Sequence, residues 1–299
     1  MATFPPYRGK AQLFIAVLGL AAVIGVAGPA ASAAGRGPPR RIMSTNICTD
    51  LLLLQLAPKA RIASVTFMAP EAARGLFPGA AAGIPLNHGA AEDVVNFKPD
   101  LILDSGLSSP LVRTLARRVG ARVIAVTAAN SFQDIRDSLR QVGAAVGEPA
   151  RAAALIRHMD ATLSDLAAHP PRRRLRVVAW SGGAAVPGKG SIPDAIITAA
   201  GAVNVAARPG PAESTFGVEE LLMADPDALV FGRATLGQPS LLSDEGQHRI
   251  VRRLYAGRRI AYNDVAHTCG LPQSADAARD LRRALDALPD RGPHRRPVR

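Results

Sequence analysis

Cysteine is almost missing from this 299-residue chain, which holds only Cys48 and Cys269. Neither lies beside the N-terminal apolar segment, which argues against a lipid-anchored precursor processed there. Aromatic residues make up 4% of the chain, and Trp180 is the single tryptophan. The formal charge is +12, and much of the excess is local, in RRRLR at 172–176 and RGPHRRPVR at 291–299. With so few aromatics, that excess reads as solvated charge with some attraction to acidic surfaces, and nucleic acid is not expected as a partner. Neither G-x-S-x-G nor H-E-x-x-H occurs, so the familiar hydrolase signatures are absent and no catalytic residue is assigned. One string resembling a phosphate loop, GAAVPGK at 183–189, is followed by Gly190 where Mg²⁺ binding needs Ser or Thr. Pro187 also removes a backbone N–H from any phosphate cradle. The string reads as a flexible loop.

Long apolar runs are missing as well, except at the start. Residues 1–33 carry Arg8 and Lys10, an apolar stretch from Ala11 to Ala27, and small residues around Ala33. That is the layout of a cleavable secretory signal peptide. The stretch is shorter than the roughly 20 residues a membrane-spanning helix needs. An exported, periplasmic protein of about 266 residues is expected, with a charge near +10. That length accommodates two lobes. In an oxidising compartment the two cysteines, about 220 positions apart, are either bridged across the lobes or two separate buried thiols.

What the chain does hold is a repeat. Residues 91–103 read AEDVVNFKPDLIL and residues 218–230 read VEELLMADPDALV. Glu92 and Glu219 each stand seven positions before a proline, Pro99 and Pro226, and an apolar strand follows. Around both copies, strand-like runs (41–45, 61–66, 100–104 and 121–126; then 175–180, 203–206, 228–232 and 259–263) alternate with helical patterns. The helices are expected at 50–56, 92–97 and 110–119, then near 191–200, 219–224, 247–256 and 274–288. Alternation of this kind indicates parallel α/β architecture. Between the halves, Pro149 to His169 shows one apolar stripe (Leu155, Ile156, Met159, Leu163, Leu166) and ends at Pro170-Pro171. A helix of that length spans roughly 30 Å and makes a stiff connector. The expected organisation is a signal peptide over 1–33, an N-terminal lobe over 41–147, a connector helix over 148–170, a C-terminal lobe over 173–289 and a basic tail over 290–299.

RIMSTNICTDLLLLQLAPKARIASVT, GAAEDVVNFKPDLIL and GKGSIPDAIITAAGAVNVA together resemble the substrate-binding proteins of ABC importers. The resemblance is to the helical-backbone group that carries ferric siderophores, haem and cobalamin, and it covers nearly the whole exported chain. It implies two Rossmann-like lobes with parallel sheets, a single long connector helix and a ligand cleft between the lobes. It also implies a monomeric, non-catalytic carrier without a cofactor. The ligand would be a metal chelate, a cobalamin-like corrinoid or a ferric siderophore, and the partner an inner-membrane permease dimer. Glu92 and Glu219 would meet arginines on the two permease subunits. An exported enzyme or a ligand sensor on the same scaffold are the alternatives.

On such a scaffold the ligand sits at the carboxyl ends of the strands. Candidates in the first lobe are Thr45, Asn46, Phe67, Met68, Ser105, Gly106, Leu107, Thr127 and Phe132. In the second they are Trp180, Ser181, Gly182, Phe216, Arg233 and Asn263 through Thr268, His267 among them. Trp180 is equally readable as core, whereas Phe67, Phe132 and Phe216, though candidate apolar walls, read first as core. Arg233 could pair with an anionic chelate or with solvent. Of six histidines only His88 and His267 fall in loops near this cleft, too few to close a site for a bare metal ion. His267 could ligate or hydrogen-bond a chelated metal at the cleft mouth, but reads first as an exposed loop residue.

Overall fold

The structure is a computed structural model describing residues 37–106, 109–180, 185–208, 213–232 and 248–290. The expected signal peptide, the tail from Arg291, and Leu107, Ser181, Gly182 and Arg233 lie outside the described residues. From Pro38 onward the described chain forms one compact unit.

Two parallel sheets organise it. The first contains β1 (Ile42–Ser44), β2 (Ile62–Thr66), β3 (Leu86–Asn87), β4 (Leu101–Asp104) and β5 (Arg122–Ala125), in the order β3-β2-β1-β4-β5. Its helices are α1 (Ile47–Leu56), α2 (Ala69–Arg74), α3 (Ala91–Phe97), α4 (Pro110–Arg118) and α5 (Phe132–Val146). α6 (Pro149–Ala168) then crosses to β6 (Arg176–Ala179). The second lobe continues with β7 (Ala185–Pro187), α7 (Ile192–Ala199), β8 (Val203–Asn204), β9 (Glu213–Thr215), α8 (Val218–Ala224) and β10 (Ala228–Gly232). After that come α9 (Arg249–Leu254), β11 (Arg259–Tyr262), α10 (Asp264–Thr268) and α11 (Gln273–Asp286). Its parallel sheet has the order β11-β10-β6-β8, and β7 pairs antiparallel with β9. That pairing corrects the expectation of a flexible loop over 183–189, because Ala185–Pro187 is strand.

Local chemistry explains the element ends. Ser131 caps α5 by accepting from Asp134 N at 3.1 Å, and Gly147 closes it at φ 78°, a left-handed turn that favours glycine. Pro149 opens α6 in the first turn, where a missing N–H costs nothing. Ile156, Met159 and Leu166 of its expected stripe are buried, with Leu155 and Leu163 partly so.

The two Pro-Asp segments superimpose in their chemistry. Lys98 (φ 42°) and Asp225 (φ 38°), each preceding the proline, are the two non-glycine residues with positive φ among those described. Each ends its helix, with Lys98 N donating to Val94 O at 3.1 Å and Asp225 N to Leu221 O at 3.0 Å. The following aspartates anchor the first strand of their lobe. Asp100 accepts from Arg40 N at 2.6 Å and Arg41 N at 3.0 Å, and Asp227 accepts from Arg176 N at 2.8 Å. The repeat is therefore a strand-docking device as well as a turn.

Burial divides by sheet face. One large core takes Ile42, Leu101 and Leu103 from the first sheet and Val177, Ala179 and Val230 from the second. The helices α1, α5, α6, α7 and α11 fill it without a break. The opposite faces carry smaller clusters: Met43 and Ile102 under α3 and α4, and Val178, Leu229 and Phe231 under α8 and α9.

Candidate functional site

Buried polar groups hold the strand ends of the first lobe in place. Asn87 donates through Nδ2 to Ser44 O and Ser64 Oγ, both at 2.9 Å, and its Oδ1 accepts from Gly89 N at 3.0 Å. Asn46 caps α1 by accepting from Cys48 N at 2.9 Å, and Thr45 Oγ1 donates to Leu103 O at 3.3 Å. Two of the expected cleft residues thus serve the scaffold with their side chains. Above them Phe67 is 54% exposed and Met68 40%, and the exposed His88 ring stacks on Phe67 with centroids 5.1 Å apart. Ser105 is half-buried, and Phe132 is half-buried against the large core.

Asp50, beneath this surface, is a residue that sequence patterning missed. It has no solvent exposure, and it accepts from Thr66 N at 3.1 Å and from Thr66 Oγ1. Burial pushes its carboxyl up to about 6, outweighing the hydrogen bonds from Thr66 and Ser44 that pull it down. The folded state therefore holds this proton more tightly than the unfolded chain does. Its contribution favours folding at acid pH and is lost as pH rises from about 4 through 6, by at most about 3 kcal/mol. Urea unfolding from pH 4 to 7.5 should show Asp50→Asn with a flatter profile than the natural protein across that window. Parallel profiles would refute the assignment.

The second lobe buries several of its candidates. Trp180 and Phe216 have no exposure; the indole Nε1 donates to Phe216 O at 2.8 Å, and the Trp180 ring meets Phe231 edge-on. They shape the lobe from inside. His267 is 4% exposed, within α10, which overturns the exposed-loop expectation. Its ring stacks on Tyr262 at 3.7 Å, burial pushes its pKa down to about 3, and neither nitrogen has a partner among the described residues. Five helical residues between β11 and a glycine gave too short a pattern to read as helix. Asn263 caps α10 by accepting from Val265 N at 3.1 Å, and it also reaches the other lobe.

That reach belongs to a seam. Asn263 Nδ2 donates to Gly75 O at 3.0 Å, and Gln273 Nε2 donates to Gln55 Oε1 at 2.6 Å. Cys48 and Cys269 are disulfide-bonded, which decides between the two readings of the cysteines. At Gly270 a Cβ would come within 2.5 Å of the Ala129 methyl, so only glycine lets the segment approach so closely. A cavity of about 330 Å³ opens beside the seam, lined in part by Gly75, Leu76, Tyr262, Asn263, Gln273 and Asp276. Among the described residues, no group of three or more His, Cys, Asp or Glu is placed to hold a metal ion.

The repeated acids occupy equivalent exposed positions in the first turns of α3 and α8. A helix N-terminus attracts carboxylates, which alone could account for them. Their neighbours already fill that role. Asp93 accepts from Ala90 N and His88 N, both at 2.9 Å, and Glu220 accepts from Gly217 N at 2.9 Å. Among the described residues Glu92 and Glu219 make no hydrogen bond or ion pair.

Residues 84–258, a span holding both acids and α6, match the periplasmic binding protein family. The chain belongs to that family. No curated protein sequence matches this periplasmic binding protein. Solved structures share its fold. The periplasmic haem-binding protein HutB of Vibrio cholerae has a TM-score of 0.69 at 19% identity, covering 82% of this chain and 98% of its own. A Fe³⁺-hydroxamate transport protein of Saccharomonospora viridis gives 0.64 at 21%, covering 84% and 94%. The vitamin B12-binding protein BtuF of Vibrio cholerae gives 0.62 at 16%, covering 83% and 97%. The periplasmic binding protein fold accounts for both parallel sheets in one arrangement.

Proposed function

We propose that this protein is a periplasmic carrier that binds a metal chelate between its lobes and delivers it to a two-subunit ABC permease through Glu92 and Glu219. The observation that carries the reading is the release of both acids from capping duty at equivalent exposed positions. An exposed carboxylate with no hydrogen-bond or ion-pair partner among the described residues is available to one on another protein, and electrostatic pairing of this kind steers encounter and orientation. Two such groups on a pseudo-two-fold scaffold suit a partner built of two like subunits.

The ligand class follows from the strand ends. Phe67, Met68 and His88 give an exposed apolar and aromatic surface, with polar groups beneath it, that suits a bulky chelate such as a corrinoid, a ferric siderophore or haem. Purified protein titrated with cyanocobalamin, haemin and a ferric hydroxamate, by visible absorbance and calorimetry, should bind one of them more tightly than about 10 µM. Phe67→Ala should weaken that binding by about tenfold. Failure of all three to bind in this range would remove the carrier assignment.

A further inference from the structure

Arginines gather where the strands of both parallel sheets begin. In a parallel sheet every strand starts at the same end, where the preceding crossover returns. In the first lobe Arg40 and Arg41 precede β1 and Arg122 opens β5. In the second, Arg172 and Arg174 precede β6 and Arg176 opens it, which places the RRRLR run of the sequence. All six are exposed, and none makes an ion pair among the described residues. The nearby acids Asp100 and Asp227 accept from the backbone N–H groups of Arg40, Arg41 and Arg176.

The connector α6 joins the two groups. Just before its start, Arg61 Nη1 donates to Val146 O at 2.9 Å and Arg122 Nη2 to Ala145 O at 3.1 Å. At its other end Arg172 follows His169 by three residues, and Arg282 Nη1 donates to His169 O. The 20 residues of α6 therefore hold the groups roughly 30 Å apart. Acids along the helix are already engaged, Asp160 with Arg136 at 2.7 Å and Asp165 with His169 at 3.1 Å, while Arg151 and Arg157 are exposed. Glu92 and Glu219 stand away from this end. Each lies in the first turn of a helix whose last turn leads, through Pro-Asp, into a strand start.

We infer that the strand-start arginines at the two ends of α6, Arg40, Arg41 and Arg122 with Arg172, Arg174 and Arg176, form a binding surface for an anionic phospholipid membrane. The planar guanidinium fork pairs bidentately with phosphate oxygens, which favours headgroup phosphate as the anion. Groups roughly 30 Å apart are separated by several Debye lengths at physiological salt, so they act as two independent footholds. A continuous layer of headgroups satisfies both without a matching register, as a compact acidic protein does not. A protein held this way keeps its strand ends and both glutamates on the side away from that membrane. The inference goes beyond the carrier reading and does not depend on it.

The test is co-sedimentation of the protein, purified from the periplasm of expressing cells, with lipid vesicles. The natural protein should bind mixed phosphatidylglycerol–phosphatidylcholine vesicles but not pure phosphatidylcholine vesicles, and added sodium chloride should release it. The variant Arg40→Gln/Arg172→Gln/Arg174→Gln/Arg176→Gln removes side chains that make no hydrogen bond among the described residues, so its melting temperature should stay at the natural value. Its affinity for the mixed vesicles should fall at least about tenfold, since each basic group near an anionic surface adds to the attraction. Lysine at the same four positions should keep binding within about threefold, because the charge remains. Natural binding by the glutamine variant would overturn the inference, and its loss in Arg291→Gln/Arg295→Gln/Arg296→Gln/Arg299→Gln would assign attachment to the tail instead. Equal binding to both kinds of vesicle would also overturn it. Natural protein that ignores both vesicles but binds soluble polyglutamate would overturn it in favour of an acidic protein.

Discussion

Glu92→Ala combined with Glu219→Ala is expected to abolish chelate delivery while leaving chelate affinity and melting temperature unchanged. Truncating one member of a buried, hydrogen-bonded interfacial charge pair costs about 2–5 kcal/mol, and each 1.4 kcal/mol is a factor of ten in affinity. Two such losses would weaken docking by at least about a thousandfold. Stability should barely respond, because Asp93 and Glu220 satisfy the helix ends and the two glutamates make no hydrogen bond or ion pair among the described residues. The informative control is the neighbour. Asp93→Ala removes the acceptor for Ala90 N and His88 N and should cost about 1 kcal/mol of stability while delivery continues. Uptake assays and thermal melts on both variants separate the roles. If the double alanine variant transports normally, the docking role is wrong.

Cys48→Ser combined with Cys269→Ser should lower stability by about 2–5 kcal/mol, because the bridge closes a loop of 221 residues and restricts the unfolded chain. For a protein of this size that is a fall of about 5–15 °C in melting temperature. Chelate affinity should stay within about threefold of the natural value. Gly270 against Ala129, Gln273 to Gln55 and Asn263 to Gly75 hold the seam without the sulfurs. Calorimetric melts and titrations check both halves, and reductant added to the natural protein should reproduce the lower melting temperature. An unchanged melting temperature would show that the bridge contributes nothing.

The Pro-Asp units were legible in the sequence because one short string fixes several things at once. The proline ends a helix, the aspartate anchors a neighbouring strand and the apolar run is buried on both faces. β3 was not legible, since two residues paired at a sheet edge leave no periodicity, and neither was β7 with β9 at three residues each. α2 lies in an alanine-rich stretch without an apolar stripe. The candidate site divides in the same way. Position along the chain offered Phe67 as a strand-end residue, but the core reading favoured for it is corrected by its exposure. Position could not decide that Trp180 turns inward, because which face a residue joins depends on helices far away in sequence. Nor could spacing show that Asp93 and Glu220, rather than the residues before them, bond to the helix ends.

The unbroken core between the sheets has a consequence for two-point docking. Side chains from both lobes fill it together, and the seam closes it by a covalent bond and a glycine contact, so the spacing of Glu92 and Glu219 is built into the fold. In the proposed docking, once one acid were engaged, the second would meet its site as an intramolecular step. Its effective concentration is set by a stiff body, and little conformational entropy remains to be lost. Two contacts of modest strength can then act as one tight attachment, while release of either leaves the carrier free to depart.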